Sequence, residues 1–109
     1  NGTVSTAFIG NNDMTALGIM DAIAELGYKI PFDYSVCGFD NIPLASMKQI
    51  SLTTIEHATV QKCHEAVDLI HKKHSQDHSG RQPSYTVRLE YEPQLIVRNS
   101  TGKCRKNLR

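Results

Sequence analysis

The sequence predicts an α/β fold with an open, mainly parallel sheet flanked by helices. Two short apolar runs, Ala7–Ile9 and residues 35–39, are separated by a helical stretch and a turn that contains glycine and proline. A strand, a helix and a second strand within this length form a βαβ unit, in which the two strands are parallel. Acidic and amide side chains follow both runs, so we expect them at the same edge of the sheet. That edge is where open α/β sheets bind small ligands.

Apolar spacing predicts the first strand over residues 4–9 and the first helix over residues 14–26. Gly27 suits the end of this helix, and Pro31 prevents the helix from resuming. The second strand is predicted over residues 35–39, because it is a short apolar run between turn signals.

The second half of the chain continues the alternation of strands and helices. Residues 52–55 predict a third strand, and residues 60–73 predict a second helix with Thr59 as its capping residue. Two further strands are expected at residues 85–89 and 95–97, on either side of a proline. The order of elements therefore favours one layer of sheet with helices against it.

Length and composition limit the chain to one small domain. It has 109 residues, of which 39% are apolar, and its net charge is +1. Such a charge provides no overall attraction to nucleic acid or to a membrane surface. Residues 102–109 contain clustered basic side chains without an apolar pattern, so we expect a disordered tail there. A nucleic-acid-binding arm is the alternative for that segment.

The cysteines favour a reducing compartment, and we expect a cytoplasmic protein. There are three of them and no CxxC pair. Cys37 lies in an apolar strand and Cys63 on an apolar helix stripe, so both are predicted to be small buried hydrophobes. No signal peptide or membrane span is visible. The chain begins at Asn1 and almost at once enters a strand, which predicts a piece cut from a longer protein.

Asn12 and Asp40 are the leading candidates for contacting a ligand. An amide both donates and accepts hydrogen bonds, and a carboxylate accepts them from hydroxyls or ring N–H groups. Together they suit a neutral polyhydroxylated or heterocyclic ligand. The alternative is local, with Asn12 or Asp13 capping the helix and Asp40 making a turn with Asn41. His57 follows the third predicted strand, so we expect it near the same edge.

Metal and catalytic sites have less support. His71, His74 and His78 share one face if the second helix continues, and Asp77 is nearby, a set that zinc could use. The serines and glycine that follow favour a solvated helix end instead, so no metal and no cofactor are predicted. Phosphate-binding glycine loops and nucleophile elbows are absent from the sequence, and we therefore predict no enzyme.

One side of the first helix has the composition of a contact surface. Small and apolar side chains there could meet a twin helix across a two-fold axis, and core packing is the alternative. These residues are Met14, Leu17, Gly18, Met20 and Asp21.

Four segments, in the same order and spacing, resemble the bacterial lactose- and purine-repressor type of transcription regulator, the LacI family. They are FIGNNDMTALG at 8–18, ELGYKIPFDYSVCGFDN at 25–41, LTTI at 52–55 and LIVRNST at 95–101. One departure is Ile50-Ser51, where family members often have a proline before the LTT strand. The resemblance extends over most of the chain.

The resemblance implies a periplasmic-binding-protein-like fold with an effector between two α/β subdomains. Residues 1–101 would form part of the C-terminal subdomain, without the DNA-binding head. The matching positions imply Asn12 and Asp40 as effector contacts and leave Asp13 as the helix cap. His57 stands where the family often has glutamine near the pocket.

The family's dimer surfaces match residues 14–26 and 44–50. They add Met47 and Lys48 to the dimer residues predicted above.

The implied function is ligand sensing and dimerisation in a DNA-binding transcription regulator, usually a repressor. A sugar, a sugar phosphate or a purine would control operator binding allosterically, and operator DNA would be contacted only through the missing N-terminal domain. The alternative is a secreted or periplasmic sugar-binding protein of the same superfamily. An enzyme of flavodoxin-like architecture and a pure dimerisation module are further alternatives.

Overall fold

The computed structural model describes residues 4–76 and 86–104. Within those ranges the α helices and strands are, in chain order, β1 (Ala7–Ile9), α1 (Asp13–Glu25), β2 (Ser35–Cys37), β3 (Thr54–Glu56), α2 (Thr59–Gln76) and β4 (Gln94–Ile96). A 3-10 helix, Pro43–Ser46, lies between β2 and β3. Both predicted helices are present, and their ends differ from the predicted bounds by one to three residues.

The first two strands form the predicted parallel pair. Phe8 lies opposite Val36 in the register of β1 and β2. A parallel bridge between Cys37 and Thr53 continues the pairing to the segment that enters β3. Gly38 N–H donates to the Thr53 carbonyl at 2.9 Å. The carboxyl ends of these three segments therefore meet at one edge, as the βαβ pattern predicts.

β3 has an antiparallel partner in β4, with Ile55 opposite Leu95. The strand predicted over residues 95–97 is thus present as β4, one residue earlier. The strand predicted over residues 85–89 is wrong for its described part, because residues 86–89 have no strand structure. Their side chains are exposed, and Arg88 forms an ion pair with Glu90 in solvent.

A small core joins α1 to the parallel strands. Its buried members come from α1, β2, the 3-10 helix and the segment before β3: Ala16, Ile23, Val36, Ala45 and Leu52. Burial of such side chains is the main stabilising contribution to a domain of this size. Because Ala16 and Ile23 lie two turns apart on one face, they orient α1 along the sheet.

The described chain divides into two compact units. The first contains the residues up to Glu56 together with those from Gln94 onward, and the second lies within His57–Pro93. In the second unit α2 exposes Val60, Val67 and Ile70, which are 72%, 64% and 70% exposed. None of the described helices is long and apolar enough to cross a membrane.

Residues 102–104, which follow the predicted boundary at residue 101, belong to the described chain. Gly102 N–H donates to Ser35 Oγ at 3.1 Å, which attaches the closing segment to β2. Residues 105–109, the greater part of the predicted basic tail, lie outside the described residues. Cys37, Cys63 and Cys104 form no disulfide bonds. Cys63 is exposed, so its prediction as a buried hydrophobe is wrong, because it lies on the exposed apolar stripe of α2.

Candidate functional site

The loops that follow β1 and β2 lie side by side. Asp13 N–H, at the start of α1, donates to the carbonyl of Phe39 at 2.8 Å. This contact joins the segment containing Asn12 to the loop containing Asp40. Both predicted ligand contacts therefore emerge at the carboxyl edge of the parallel strands, the usual position of ligand sites in open α/β sheets.

Asn12 caps α1. Its backbone is extended, with φ −151° and ψ 172°, and its Oδ1 accepts the N–H of Thr15 at 2.8 Å. The prediction that Asp13 is the cap is wrong, because Asp13 is already the first helical residue. A cap residue has to be non-helical, with its side chain over the N–H group three residues later. The amide Nδ2 of Asn12 is not needed for capping and has no hydrogen-bond partner among the described residues.

Asp13 is completely buried, with 0% of its surface exposed. Its Oδ2 accepts the N–H of Ile42 at 2.8 Å, and its Oδ1 accepts the hydroxyl of Thr54 at 2.5 Å. The first turn of a helix favours a negative charge, and hydrogen bonds to a buried carboxylate offset its desolvation. One carboxylate therefore connects α1, the loop after β2 and the start of β3. The local sequence does not distinguish a buried, connecting role for Asp13 from a capping role.

The loop after β2 has an uncommon backbone. Asp40 has φ 116° and Asn41 has φ 54°, a region that residues other than glycine rarely adopt. Two hydrogen bonds hold it there, from Asp40 N–H to the Ile55 carbonyl at 2.9 Å and from Asn41 N–H to Thr54 Oγ1 at 3.3 Å. Backbone conformations of this kind persist where the surroundings enforce them, and they cluster at ligand-binding sites.

The side chain of Asn41 is held at both ends. Its Nδ2 donates to Glu56 Oε2 at 2.9 Å, and its Oδ1 accepts from Arg98 Nη2 at 2.8 Å. Arg98 also donates from Nη1 to the Leu52 carbonyl at 2.8 Å. Asn41 therefore has a structural role, which leaves Asp40 as the acidic ligand candidate on this loop. Sequence reasoning did not identify Arg98, Glu56 or Thr54, because they lie far from the loop along the chain.

His57 belongs to the second unit and contacts Lys62 there. Lys62 Nζ lies 3.1 Å from His57 Nδ1 and 5.4 Å from the centre of the Tyr91 ring. Tyr91 in turn donates its hydroxyl proton to the Glu65 carboxylate. That hydrogen bond lowers the pKa of Glu65 and raises the pKa of Tyr91. The assignment of His57 to the ligand site stays a prediction.

The predicted dimer residues belong to the first unit, where Leu17 and Met20 are half-buried and the others are exposed. Met14 is 61% exposed and Met47 is 47% exposed. Beside them a groove of about 390 Å³ separates α1 from the segment before β3. It is lined by Leu17, Met20, Asp21, Ala24, Tyr28, Ile30, Gln49 and Ile50. Gly18 and Lys48 are exposed as well. The arrangement is an apolar surface with few polar groups, which suits contact with another protein.

A family comparison agrees with this architecture. The sequence profile of the periplasmic binding protein-like domain matches residues 3–101. The chain belongs to this family.

Similar members of the periplasmic binding protein-like family are bacterial regulators. An arabinose metabolism transcriptional repressor of Halalkalibacterium halodurans is 33% identical over 100 residues, which cover 92% of this chain and 27% of the repressor. A LacI-family transcriptional regulatory protein from Corynebacterium glutamicum is 35% identical in its crystal structure, with a TM-score of 0.71, covering 88% of this chain and 35% of that protein.

A LacI-family regulator from Enterococcus faecium, crystallised with bound ribose, is also similar. Its TM-score is 0.70 and its identity 26%, over 91% of this chain and 35% of that regulator. The chain thus spans about a quarter to a third of the proteins it matches, and it corresponds to their C-terminal effector-binding region. The open α/β architecture predicted from the sequence is confirmed.

The described part of this periplasmic binding protein-like domain holds no group of three metal-ligating side chains. His78 and Asp77, two members of the zinc set considered above, lie outside the described residues. Burial raises the pKa of the Cys37 thiol, and the Asp13 carboxylate raises it further. A thiol held in its protonated form is a poor nucleophile, so Cys37 has the chemistry of a structural residue.

Proposed function

We propose that this chain is part of the effector-binding and dimerisation domain of a LacI-type transcription regulator. In the intact protein it would control operator binding through a DNA-binding domain that lies outside this chain. The observation that carries the proposal is the pair of loops at one strand edge. There Asn12 presents an amide, and Asp40 lies on a loop with an enforced left-handed backbone.

The effector class that suits these groups is a sugar or a related polyhydroxylated molecule. Asn12 can donate from Nδ2 while Oδ1 remains on the helix cap, and the Asp40 carboxylate can accept from hydroxyl groups. The similar repressor concerns arabinose metabolism, and the similar Enterococcus regulator holds ribose. Both support a sugar, while a sugar phosphate and a purine stay in the screen described below. His57 is proposed as a further contact.

The regulatory mechanism is a coupling of free energies between two sites. An effector can shift the protein between two conformations only by binding one of them more tightly. The same difference then changes operator affinity, and operator binding changes effector affinity in return. A loop held by hydrogen bonds to β3 and α1 would transmit such a shift to the rest of its subdomain.

We also propose that α1 and the segment around Met47 and Lys48 form a homodimer interface. The groove beside Leu17 and the exposed methionines support it, because apolar surface of this kind is buried in stable dimers. Dimerisation would pair two DNA-binding domains on a two-fold operator. A repressor of this kind would work in the cytoplasm, whereas the secreted sugar-binding protein lacks support from the relatives reported above.

A thermal-shift screen of the full-length protein tests this function. Arabinose, ribose, other sugars, sugar phosphates and purines would be compared, and the true effector should raise the melting temperature by mass action. The same compound should change the affinity for operator DNA in a gel-shift assay. Stabilisation without any change in operator binding would contradict a regulator and favour a transport receptor.

The isolated 109-residue chain provides a second test. It should bind no operator DNA specifically, because its net charge is +1 and the proposed DNA-binding domain lies outside it. Tight and sequence-specific operator binding by this chain in a gel-shift assay would be incompatible with the proposal.

A further inference from the structure

We propose that Asp13 and Thr54 are positioning residues for the effector loop, residues 39–42, which presents Asp40. This inference rests on the proposed function, since it assigns two residues that act through Asp40 and do not touch the effector. The pair connects the buried interior to the loop whose backbone is left-handed at Asp40 and Asn41.

The first step is the placement of the Asp13 carboxylate. It is fully buried, and its Oδ2 accepts the N–H of Ile42, the last residue of the effector loop. The Asp13 N–H donates to the carbonyl of Phe39, the first residue of that loop. Asp13 therefore holds both ends of the four-residue loop. A residue that served only to stabilise α1 would need neither contact.

The second step is the relay through Thr54. Its hydroxyl donates to Asp13 Oδ1 at 2.5 Å and accepts the N–H of Asn41 at 3.3 Å. The donated proton orients the hydroxyl oxygen so that a lone pair faces Asn41. With Asp13 as a carboxylate, Thr54 has to be the donor in this bond, so the direction of the relay is determined. The middle of the loop is thereby connected to the same buried group as its ends.

The third step is the close packing of the Asp13 carboxylate against Gly38. A Cβ atom added at Gly38 would overlap Asp13 Oδ1 and lie 3.0 Å from Leu52 Cδ2. The carboxylate is thus packed against the backbone that leads into the loop. Since close-packed groups do not shift without cost, the position of Asp13 determines the position of the loop.

The experiment uses the full-length regulator and two variants that each remove two hydrogen bonds of a buried hydroxyl group. Thr54→Val removes the bonds to Asp13 and Asn41 with little change in shape. Ser100→Ala is the matched control, because Ser100 is 1% exposed and its hydroxyl donates to the Val36 carbonyl at 2.6 Å and accepts the Thr53 N–H at 2.7 Å. Neither of those contacts involves the effector loop. Thr54→Ser keeps the hydroxyl and serves as the rescue variant.

Amide hydrogen exchange of peptides covering residues 39–42 is the first readout and needs no effector. Thr54→Val should accelerate exchange there by about tenfold, as expected for the loss of the hydrogen bond from the Asn41 N–H to Thr54 Oγ1. Thr54→Ser should remain near the wild type. Ser100→Ala should lower the melting temperature similarly but leave exchange at residues 39–42 unchanged. Equal acceleration in Thr54→Val and Ser100→Ala would overturn the positioning role.

Sugar affinity is the second readout, measured by calorimetry with ribose and arabinose as probes. Thr54→Val should weaken binding of the responsive sugar by about tenfold, with Ser100→Ala unchanged. Unchanged affinity in Thr54→Val would also overturn the inference. If neither sugar binds the wild type, ribose and arabinose are excluded as effectors, and the exchange measurement still decides whether the Thr54 link to Asp13 positions the loop.

Discussion

Arg98 Nη2 donates a hydrogen bond of 2.8 Å to Asn41 Oδ1, and this contact spans 57 positions of the chain. It connects the segment after β4 to the loop after β2. Because Asn41 also donates to Glu56, its amide cannot rotate without losing a bond to a charged partner. The closing segment of the domain therefore takes part in shaping the candidate ligand site.

Replacement of Arg98 by leucine should lower the free energy of unfolding by about 2 kcal/mol or more. The substitution removes charge-assisted hydrogen bonds, and it leaves Asn41 Oδ1 and the Leu52 carbonyl without their donors. Arg88→Leu is the control, since Arg88 and Glu90 are 84% and 74% exposed and their ion pair contributes at most about 1 kcal/mol. Urea denaturation measures both. Equal losses would show that the hydrogen bonds of the half-buried Arg98 stabilise the domain no more than an exposed ion pair does.

A methyl group at Gly38 has no space. Gly38→Ala should destabilise the domain by about 1–3 kcal/mol, because its Cβ would overlap Asp13 Oδ1. Gly18→Ala should instead raise the free energy of unfolding by about 1 kcal/mol, since Gly18 lies inside α1 with open space around it. Denaturation curves at one protein concentration compare the two. A Gly38→Ala variant as stable as the wild type would contradict the packing described here.

Asn12 combines a capping role with a proposed ligand contact, and two substitutions separate them. Asn12→Ala should lose about 1 kcal/mol of stability together with effector affinity, because alanine cannot accept the Thr15 N–H. Asn12→Ser should retain the stability, since serine caps equally well, but lose the amide donor and with it about tenfold in effector affinity. Melting curves and calorimetry provide the two measurements. Full affinity in Asn12→Ser would remove Asn12 from the ligand site.

Leu17→Glu should dissociate the proposed homodimer. It places a charge in the apolar groove beside α1, where burial without a partner is costly. Ala22→Glu adds the same charge to an exposed position on another side of the same helix and should leave the mass unchanged. Sedimentation of both full-length variants measures the oligomeric state. A Leu17→Glu protein of unchanged mass would place the interface elsewhere.

The Tyr91 hydroxyl should control the titration of Glu65. Its hydrogen bond is the main cause of the lowered Glu65 pKa, followed by the hydrogen bond from Gln61. Tyr91→Phe should therefore raise the Glu65 pKa towards its ordinary value of 4.5, and Gln61→Ala should raise it less. Carboxyl titration by NMR measures the shift.

The sign of the pH dependence follows from that lowered pKa. Glu65 contributes stability above its unfolded-state pKa and loses that contribution as the pH falls through the lower folded-state value. Tyr91→Phe should therefore reduce the loss of unfolding free energy that accompanies a fall in pH. An unchanged pH profile would show that this hydrogen bond does not contribute to stability.

Apolar spacing by itself determined the βαβ unit, the approximate extent of α1 and the edge at which Asn12 and Asp40 emerge. Those features depend on periodicity within about twenty residues, and the parallel orientation of β1 and β2 follows from them. The resemblance to LacI-type regulators, read from four segments, is confirmed by the comparisons. The cap of α1 was assigned to the wrong neighbour, since asparagine and aspartate are equally good cap residues by type.

Only the tertiary structure decided between those two neighbours. The extended backbone of Asn12 puts its side chain over Thr15, while Asp13 reaches Ile42 and Thr54, which are 29 and 41 positions away. Such contacts have no periodic signal, because they depend on which loops the folded sheet brings together. The sheet edge that carries Asn12 and Asp40 was therefore predictable from the sequence, whereas the buried Asp13 carboxylate that contacts the loop after β2 was evident only in the packed structure.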